Sequence, residues 1–198
     1  MTQPLASDPQ AQAKYQIRLD WGVAGARAVA QDADVIVWVD VLPPAASDTA
    51  PDAATDTAPA PELPGSGAVI EGGLSTAAAA AQWVLDHQVR LGRRAMVAVI
   101  PAGTQRADGG TRFAVEDLLG AGAVIDALQA LGIDYCSPEA AAAASSFVGL
   151  RGAVGHLLTA SVSGQEYPAD ARRAEVTPFG VLNARADVVV HRPFSAAE

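Results

Sequence analysis

Two adjacent acids, Glu116 and Asp117, begin an otherwise apolar segment, "TRFAVEDLLGAGAVIDALQALG" (111–132). The helix dipole favours acids in a first helical turn, so a structural role would account for both residues. Carboxylate oxygens are also the ligands that Mg²⁺ prefers, which makes the pair a candidate metal site. Neighbouring positions on a helix point about 100° apart, so the two acids need other residues to build a site.

Asp40 interrupts the end of a nearly continuous apolar run, "DVIVWVDVL" (34–42), which is typical of a strand covered on both faces. A carboxylate there is costly to desolvate unless it is paired, hydrogen-bonded or bound to a metal. Ligands of open α/β sheets bind outside the carboxyl ends of the strands, where Asp40 would lie. Asp20 ends another strand candidate, "YQIRLDWG" (15–22), and would join Asp40 if the two strands are neighbours.

Ser163 and Gly164 offer a hydroxyl and the free N–H groups of a helix start, which suit an anion. The spacing of Ser163 and Glu166 also fits a capping box, which is the structural alternative. Zinc is not expected, because the three histidines are widely separated and form no His-x-x-x-His pair. The single cysteine, Cys136, excludes an internal disulfide framework.

Strand and helix patterns alternate along the chain, which indicates an α/β fold: a single layered domain with a largely parallel or mixed sheet flanked by helices. A helix is predicted over 113–131, and Ser137-Pro138-Glu139 predicts the start of another that runs to about Ala160. The segment 180–194 predicts a hairpin of two short strands.

Composition divides the chain into an α/β domain over 14–192 and two tails, 1–13, predicted to be disordered, and 193–198. The domain is interrupted at 43–66 by an acidic, Pro/Ala-rich stretch without a basic residue, which predicts a flexible linker.

The charge balance restricts the possible partners. A formal net charge of −9, with Lys14 as the only lysine, argues against nucleic acid. No apolar run reaches the roughly 18 residues that span a bilayer, and the N-terminus lacks a targeting pattern, so we expect a cytoplasmic protein without membrane partners. A small anion would need local arginines or a bound cation.

Several motifs together resemble the 2-phosphosulfolactate phosphatase family. They are "YQIRLDWGVAGARAVAQDADVIVWVDVL", "VAVIPAGTQRADGGTRFAVEDLLGAGAVIDAL", "SPEAAAAASSF" and "SVSGQEY", and they cover 15–42 and about 68–192. The resemblance implies a magnesium-dependent α/β phosphatase of coenzyme M biosynthesis, which hydrolyses a small anionic phosphate monoester to an alcohol and phosphate.

The matching motifs imply roles for individual residues of this chain. Asp40, Glu116 and Asp117 would be catalytic and, with Asp20, would hold Mg²⁺. A second group would bind the phosphorylated substrate: Ser163, Gly164 and Arg112.

Two other interpretations stay open. The family's central section is absent, with 43–66 in its place, which suits a non-catalytic member that binds a small anion or a protein partner. A homo-oligomer in which 120–123 packs against a partner helix is the other.

Overall fold

A five-stranded sheet forms the centre of the computed structural model, which describes residues 8–42, 61–106 and 108–195. The strand order is β1-β4-β2-β3-β7, with neighbours parallel except for antiparallel β7. These strands are β1 (Ile17–Leu19), β2 (Val35–Val39), β3 (Ala68–Gly72), β4 (Val97–Pro101) and β7 (Val190–Arg192). A two-stranded hairpin of β5 (Thr104–Gln105) and β6 (Thr111–Arg112) follows β4. The predicted α/β class with a mixed sheet is confirmed.

Helices cover both faces of the sheet. One face packs against α1 (Gly22–Val29), and the other against α2 (Ala77–Leu91), α3 (Val115–Ala130) and α4 (Pro138–Leu150). Three short helices extend the second layer: α5 (Val154–Ala160), α6 (Val162–Glu166) and α7 (Arg172–Val176). Among the described residues, no helix is both long enough and apolar enough to cross a bilayer.

The apolar strands read from the sequence are buried on both sides, as expected for a parallel sheet. In β2, Val35, Val37 and Val39 belong to the large core under α2–α4. Ile36 and Trp38 point the other way, into a smaller core with α1. Because alternate side chains of this apolar run pack on opposite sides, the strand lies between two helical layers. Asp40 follows directly after its carboxyl end.

Two predicted elements have different boundaries in the structure. The helix that begins at Ser137 does not continue to Ala160, because α4 ends at Leu150 and a 3₁₀ turn at Arg151–Ala153 separates it from α5. Gly152 lies in that turn, where glycine's low helix propensity favours a break. The start was predicted correctly, since the Ser137 hydroxyl accepts a hydrogen bond from the Ala140 N–H at 3.2 Å.

The predicted C-terminal hairpin is wrong, because only its second half forms a strand, β7, and this strand pairs with β3. The first half crosses the beginning of α2 instead. There Asn183 N–H donates to the Leu74 carbonyl, and the Asn183 side-chain oxygen accepts from the Ala78 N–H. Backbone N–H groups that a local hairpin would have paired, such as that of Asn183, therefore bind another element.

The described parts of the predicted tail and linker contact the domain. Gln12, in the predicted tail, exchanges two hydrogen bonds with the backbone of Leu19, at 2.9 and 3.0 Å. Leu63, in the predicted linker, is buried, and its carbonyl accepts from the Arg192 guanidinium at 2.7 Å. Residues 1–7, 43–60, 107 and 196–198 lie outside the described residues, and they include most of that linker.

The small residues of α3 serve packing within this chain. A Cβ added at Gly122 would lie 2.3 Å from the Ala143 carbonyl oxygen of α4, and one at Gly120 would lie 2.6 Å from the Val41 side chain. The face over 120–123 is therefore filled by α4 and by the segment after β2. The interpretation that it packs against the helix of a partner copy does not hold.

Candidate active site

Glu116 and Asp117 lie in the first turn of α3, at the carboxyl edge of the parallel strands. Their residues are only 2% and 3% exposed. Acids that merely complement a helix dipole would be expected to stay in water, because ionised groups are expensive to bury. Burial of both acids therefore indicates a role for them beyond complementing the helix dipole.

Asp117 ties the ends of two neighbouring strands to α3. Its Oδ1 accepts a hydrogen bond from the Val41 N–H, after β2, and its Oδ2 accepts one from the Gly103 N–H, after β4; both are 2.9 Å long. Gly103 has φ +63°, and a Cβ there would lie 2.5 Å from the Arg112 carbonyl oxygen, so the position requires glycine. Asp117 thereby positions the backbone on both sides of the candidate site.

Asp40 follows β2 and is half-buried near these acids. Its pKa is raised to about 6, chiefly by burial and then by the charges of Glu116 and Glu71. The pKa of Asp117 is raised to about 8, chiefly by burial and then by the charge of Asp40, while its two backbone hydrogen bonds oppose the shift. Because Asp117 accepts from the N–H of Val41, the residue after Asp40, the fold brings Asp40 near Glu116 and Asp117.

Glu71 is a fourth acid of the cluster, which the sequence analysis missed. It lies in β3, paired in register with Trp38 of β2, and is 7% exposed. Its Oε1 forms an ion pair with Arg185 Nη1 at 3.0 Å. An acid inside the short apolar strand "AVIEG" is the same signal that singled out Asp40, so this residue could have been found.

The carboxylates of the cluster differ in how far they are neutralised. Asp117 has two N–H donors and Glu71 has a guanidinium. Within the described part of the chain, no residue donates a hydrogen bond to the side chain of Asp40 or Glu116. Two close carboxylates without a positive partner favour a cation.

The structure leaves fewer carboxylates for a metal ion than the sequence suggested. Within 8–42, 61–106 and 108–195, no group of three or more histidine, cysteine or acidic residues is arranged to hold a metal ion. Mg²⁺, however, is commonly held by only one or two carboxylates, with waters and substrate phosphate completing its coordination. Such a site would use Asp40 and Glu116, whose carboxylates have no described donor, with Asp117 in a supporting position.

Asp20 does not meet the condition on which its metal role depended. Strand β4 lies between β1, which Asp20 follows, and β2, which Asp40 follows. Strands two positions apart are roughly 9–10 Å from each other, so the two carboxylates start from well-separated backbones. The Asp20 Oδ1 instead accepts a hydrogen bond from the Trp21 N–H at 2.7 Å.

Ser161, rather than Ser163, caps α6. The Ser161 Oγ accepts a hydrogen bond from the Gly164 N–H at 3.0 Å and donates one to the Leu158 carbonyl at 2.9 Å. The sequence predicted that the Gly164 N–H binds an anion, but this N–H already donates to the Ser161 hydroxyl. "SVSG" offers two serines, and only the extended backbone at Ser161 (φ −63°, ψ 162°) decides between them.

Arg112 lies on the β5–β6 hairpin, close along the chain to α3, and is half-exposed. Its guanidinium donates to the Thr104 hydroxyl at 3.0 Å and to the Phe113 carbonyl at 3.2 Å. The hairpin thus holds this side chain through neutral groups, and its positive charge is not consumed by an ion pair with a described residue.

No protein-family model matches the chain, and no curated protein matches it with significant similarity. The resemblance to the 2-phosphosulfolactate phosphatases, based on the motifs alone, therefore stays a prediction. What the fold supplies on its own is an α/β domain with an acidic cluster at the carboxyl edge of its sheet.

Proposed function

We propose that this protein is a magnesium-dependent phosphatase that hydrolyses a small anionic phosphate monoester, as the resemblance to 2-phosphosulfolactate phosphatases suggests. The observation that carries the proposal is the hydrogen bond between Val41 and Asp117, which brings their neighbours Asp40 and Glu116 near each other. Neither of these two acids has a positive partner among the described residues. The coenzyme M pathway and a cytoplasmic location stay predictions from the sequence.

The proposed roles follow the contacts of each acid. Asp40 and Glu116 would hold Mg²⁺, which would neutralise phosphate charge and orient or activate a water for attack at phosphorus. Asp117 is a positioning residue, because it fixes the backbone of Val41 and Gly103 on either side of the site. Arg112, held by its own hairpin, is available to attract the anionic substrate.

Phosphate release from 2-phosphosulfolactate and from a simple aryl phosphate, with Mg²⁺ and with EDTA, tests the proposal. Wild-type activity should require Mg²⁺, and Asp40→Asn and Glu116→Gln should each reduce kcat/KM roughly a hundredfold, since each removes a metal ligand. Asp126→Asn, on the half-exposed side of α3, is the matched control and should retain wild-type activity. Equal phosphate release by wild type and Asp40→Asn would exclude the assignment.

A second candidate function is anion binding without turnover. It is favoured by the two backbone hydrogen bonds that already occupy both oxygens of Asp117, which leave fewer metal ligands than the resemblance implies. This candidate predicts a thermal shift with phosphate or sulfolactate, no Mg²⁺-dependent shift, and no phosphate release from either substrate.

A further inference from the structure

A groove with a volume of about 600 Å³ lies between α5, α6 and α7. Its walls include Gly155, His156, Thr159, Gln165, Arg172 and Arg173. The volume is in the range of small-molecule sites, which are typically about 300–1,000 Å³. None of the acids of the candidate active site lines this groove, so it is a separate feature of the fold.

The groove gathers positive charge in a chain whose net charge is −9. Arg172 and Arg173 both line it, and in the described ranges neither guanidinium has a carboxylate within the 4.0 Å of an ion pair. The acids nearest in sequence, Glu166, Asp170 and Glu175, are exposed and leave both arginines unpaired. The arginines are therefore available to an anion from solution.

Arg172 is held in place and has a donor to spare. Its Nη2 donates to the carbonyls of Gln165, at 3.0 Å, and Tyr167, at 3.1 Å, which fixes the guanidinium in the groove wall. Its Nε is buried and out of reach of an anion, whereas its Nη1 donates to no described residue. A fixed guanidinium loses little entropy when its free N–H groups bind an oxyanion.

We propose that the groove between α5 and α7 binds a small molecule that carries an oxyanion, a phosphate or a carboxylate, through Arg172 and Arg173. The anion accepts from the Nη1–H groups of Arg172, and the guanidinium of Arg173 adds a second charge. This site lies one helix beyond Ser163–Gly164, where the sequence placed anion binding. It does not depend on Mg²⁺ or on the proposed phosphatase activity.

Calorimetric titration of the full chain with inorganic phosphate and with malonate, in EDTA at constant ionic strength, tests this site. At least one of the two anions should bind, and the one that binds more tightly identifies the group. Because Arg172 also supports the turn between α6 and α7, the informative variant is Arg173→Gln, whose exposed side chain forms no hydrogen bond with a described residue. Loss of a charge-assisted contact should weaken binding about tenfold or more.

Arg151→Gln is the matched control, since it removes the same charge from an exposed arginine outside the groove. It should bind as the wild type does. Asp40→Asn should also leave the binding in EDTA unchanged, which separates this site from the phosphatase site. No binding of either anion, or equal weakening by Arg173→Gln and Arg151→Gln, would overturn the proposal.

Discussion

A carboxyl oxygen of Asp117 accepts a buried 2.9 Å hydrogen bond from the backbone N–H of Val41, 76 positions away in the sequence. The other oxygen of Asp117 accepts from Gly103, so one side chain joins the start of α3 to the ends of β2 and β4. An acid that looks like a simple first-turn residue in the sequence is thus a link between three segments. The charge of its neighbour Glu116 helps to raise the pKa of the nearby Asp40.

Replacing Asp117 by Asn should destabilise the fold by about 1–3 kcal/mol, because the amide NH₂ cannot accept and leaves one buried N–H without a partner. The free energy of unfolding should be measured with urea at pH 6, where a pKa of about 8 keeps the Asp117 carboxyl neutral. Asp126→Asn, on the same helix, should change it little. Equal stability of both variants would show that the two backbone hydrogen bonds contribute nothing.

Stability should fall as the pH rises through the upper part of the neutral range. The folded pKa of Asp117, about 8, exceeds its unfolded value near 3.8, so the unfolded state releases this proton first. Between these values folding retains a proton that unfolding releases, so each rise in pH lowers the free energy of unfolding. From pH 6.5 to 8.5, in EDTA, we expect a loss of about 1–2 kcal/mol.

Urea denaturation of wild type and Asp117→Asn across this range measures the effect. The variant should lose most of the slope, and Asp126→Asn should keep it. Burial lowers the pKa of His87 below its usual 6.5, so His87 affects the free energy of unfolding only at more acid pH. For this reason the range begins at pH 6.5. A wild-type slope that survives in Asp117→Asn would assign the pH dependence to another group.

Glu116→Gln should lower the pKa of Asp40 below its value of about 6, because the charge of Glu116 is one of the causes that raise it. A ¹³C NMR titration of the carboxyl resonances in EDTA measures this shift directly. Glu139→Gln, at the exposed start of α4, is the control and should leave Asp40 unchanged. An unchanged Asp40 pKa in Glu116→Gln would mean that the two carboxylates are too far apart to share an ion.

Gly122→Ala should destabilise the protein by at least about 1–3 kcal/mol, since the new Cβ would lie 2.3 Å from the Ala143 carbonyl and 2.7 Å from the Phe147 Cβ. Gly149→Ala, on the open side of α4, meets nothing within 4 Å. That variant should gain up to about 1 kcal/mol from helix propensity. Thermal unfolding compares the two, and a stable Gly122→Ala would show that α3 and α4 separate at little cost.

Local patterns in the sequence were enough to predict several elements. The apolar run at 34–42 predicted the doubly covered strand β2, and Ser137-Pro138 predicted the start of α4. Both depend on contacts close along the chain or on burial of one continuous run, which composition reveals directly. The predicted hairpin failed because the partner of β7 is β3, more than a hundred positions away.

The sequence by itself determined the class of fold and nominated Asp40, Glu116 and Asp117, because an acid within or beside an apolar run is costly without a partner. Only the tertiary structure decided which of them have partners. It gave both oxygens of Asp117 to backbone N–H groups, separated Asp20 from Asp40 by a whole strand, and gave the Gly164 N–H to Ser161. Strand order and backbone conformation fix these partnerships, and neither is a property of a short stretch of residues.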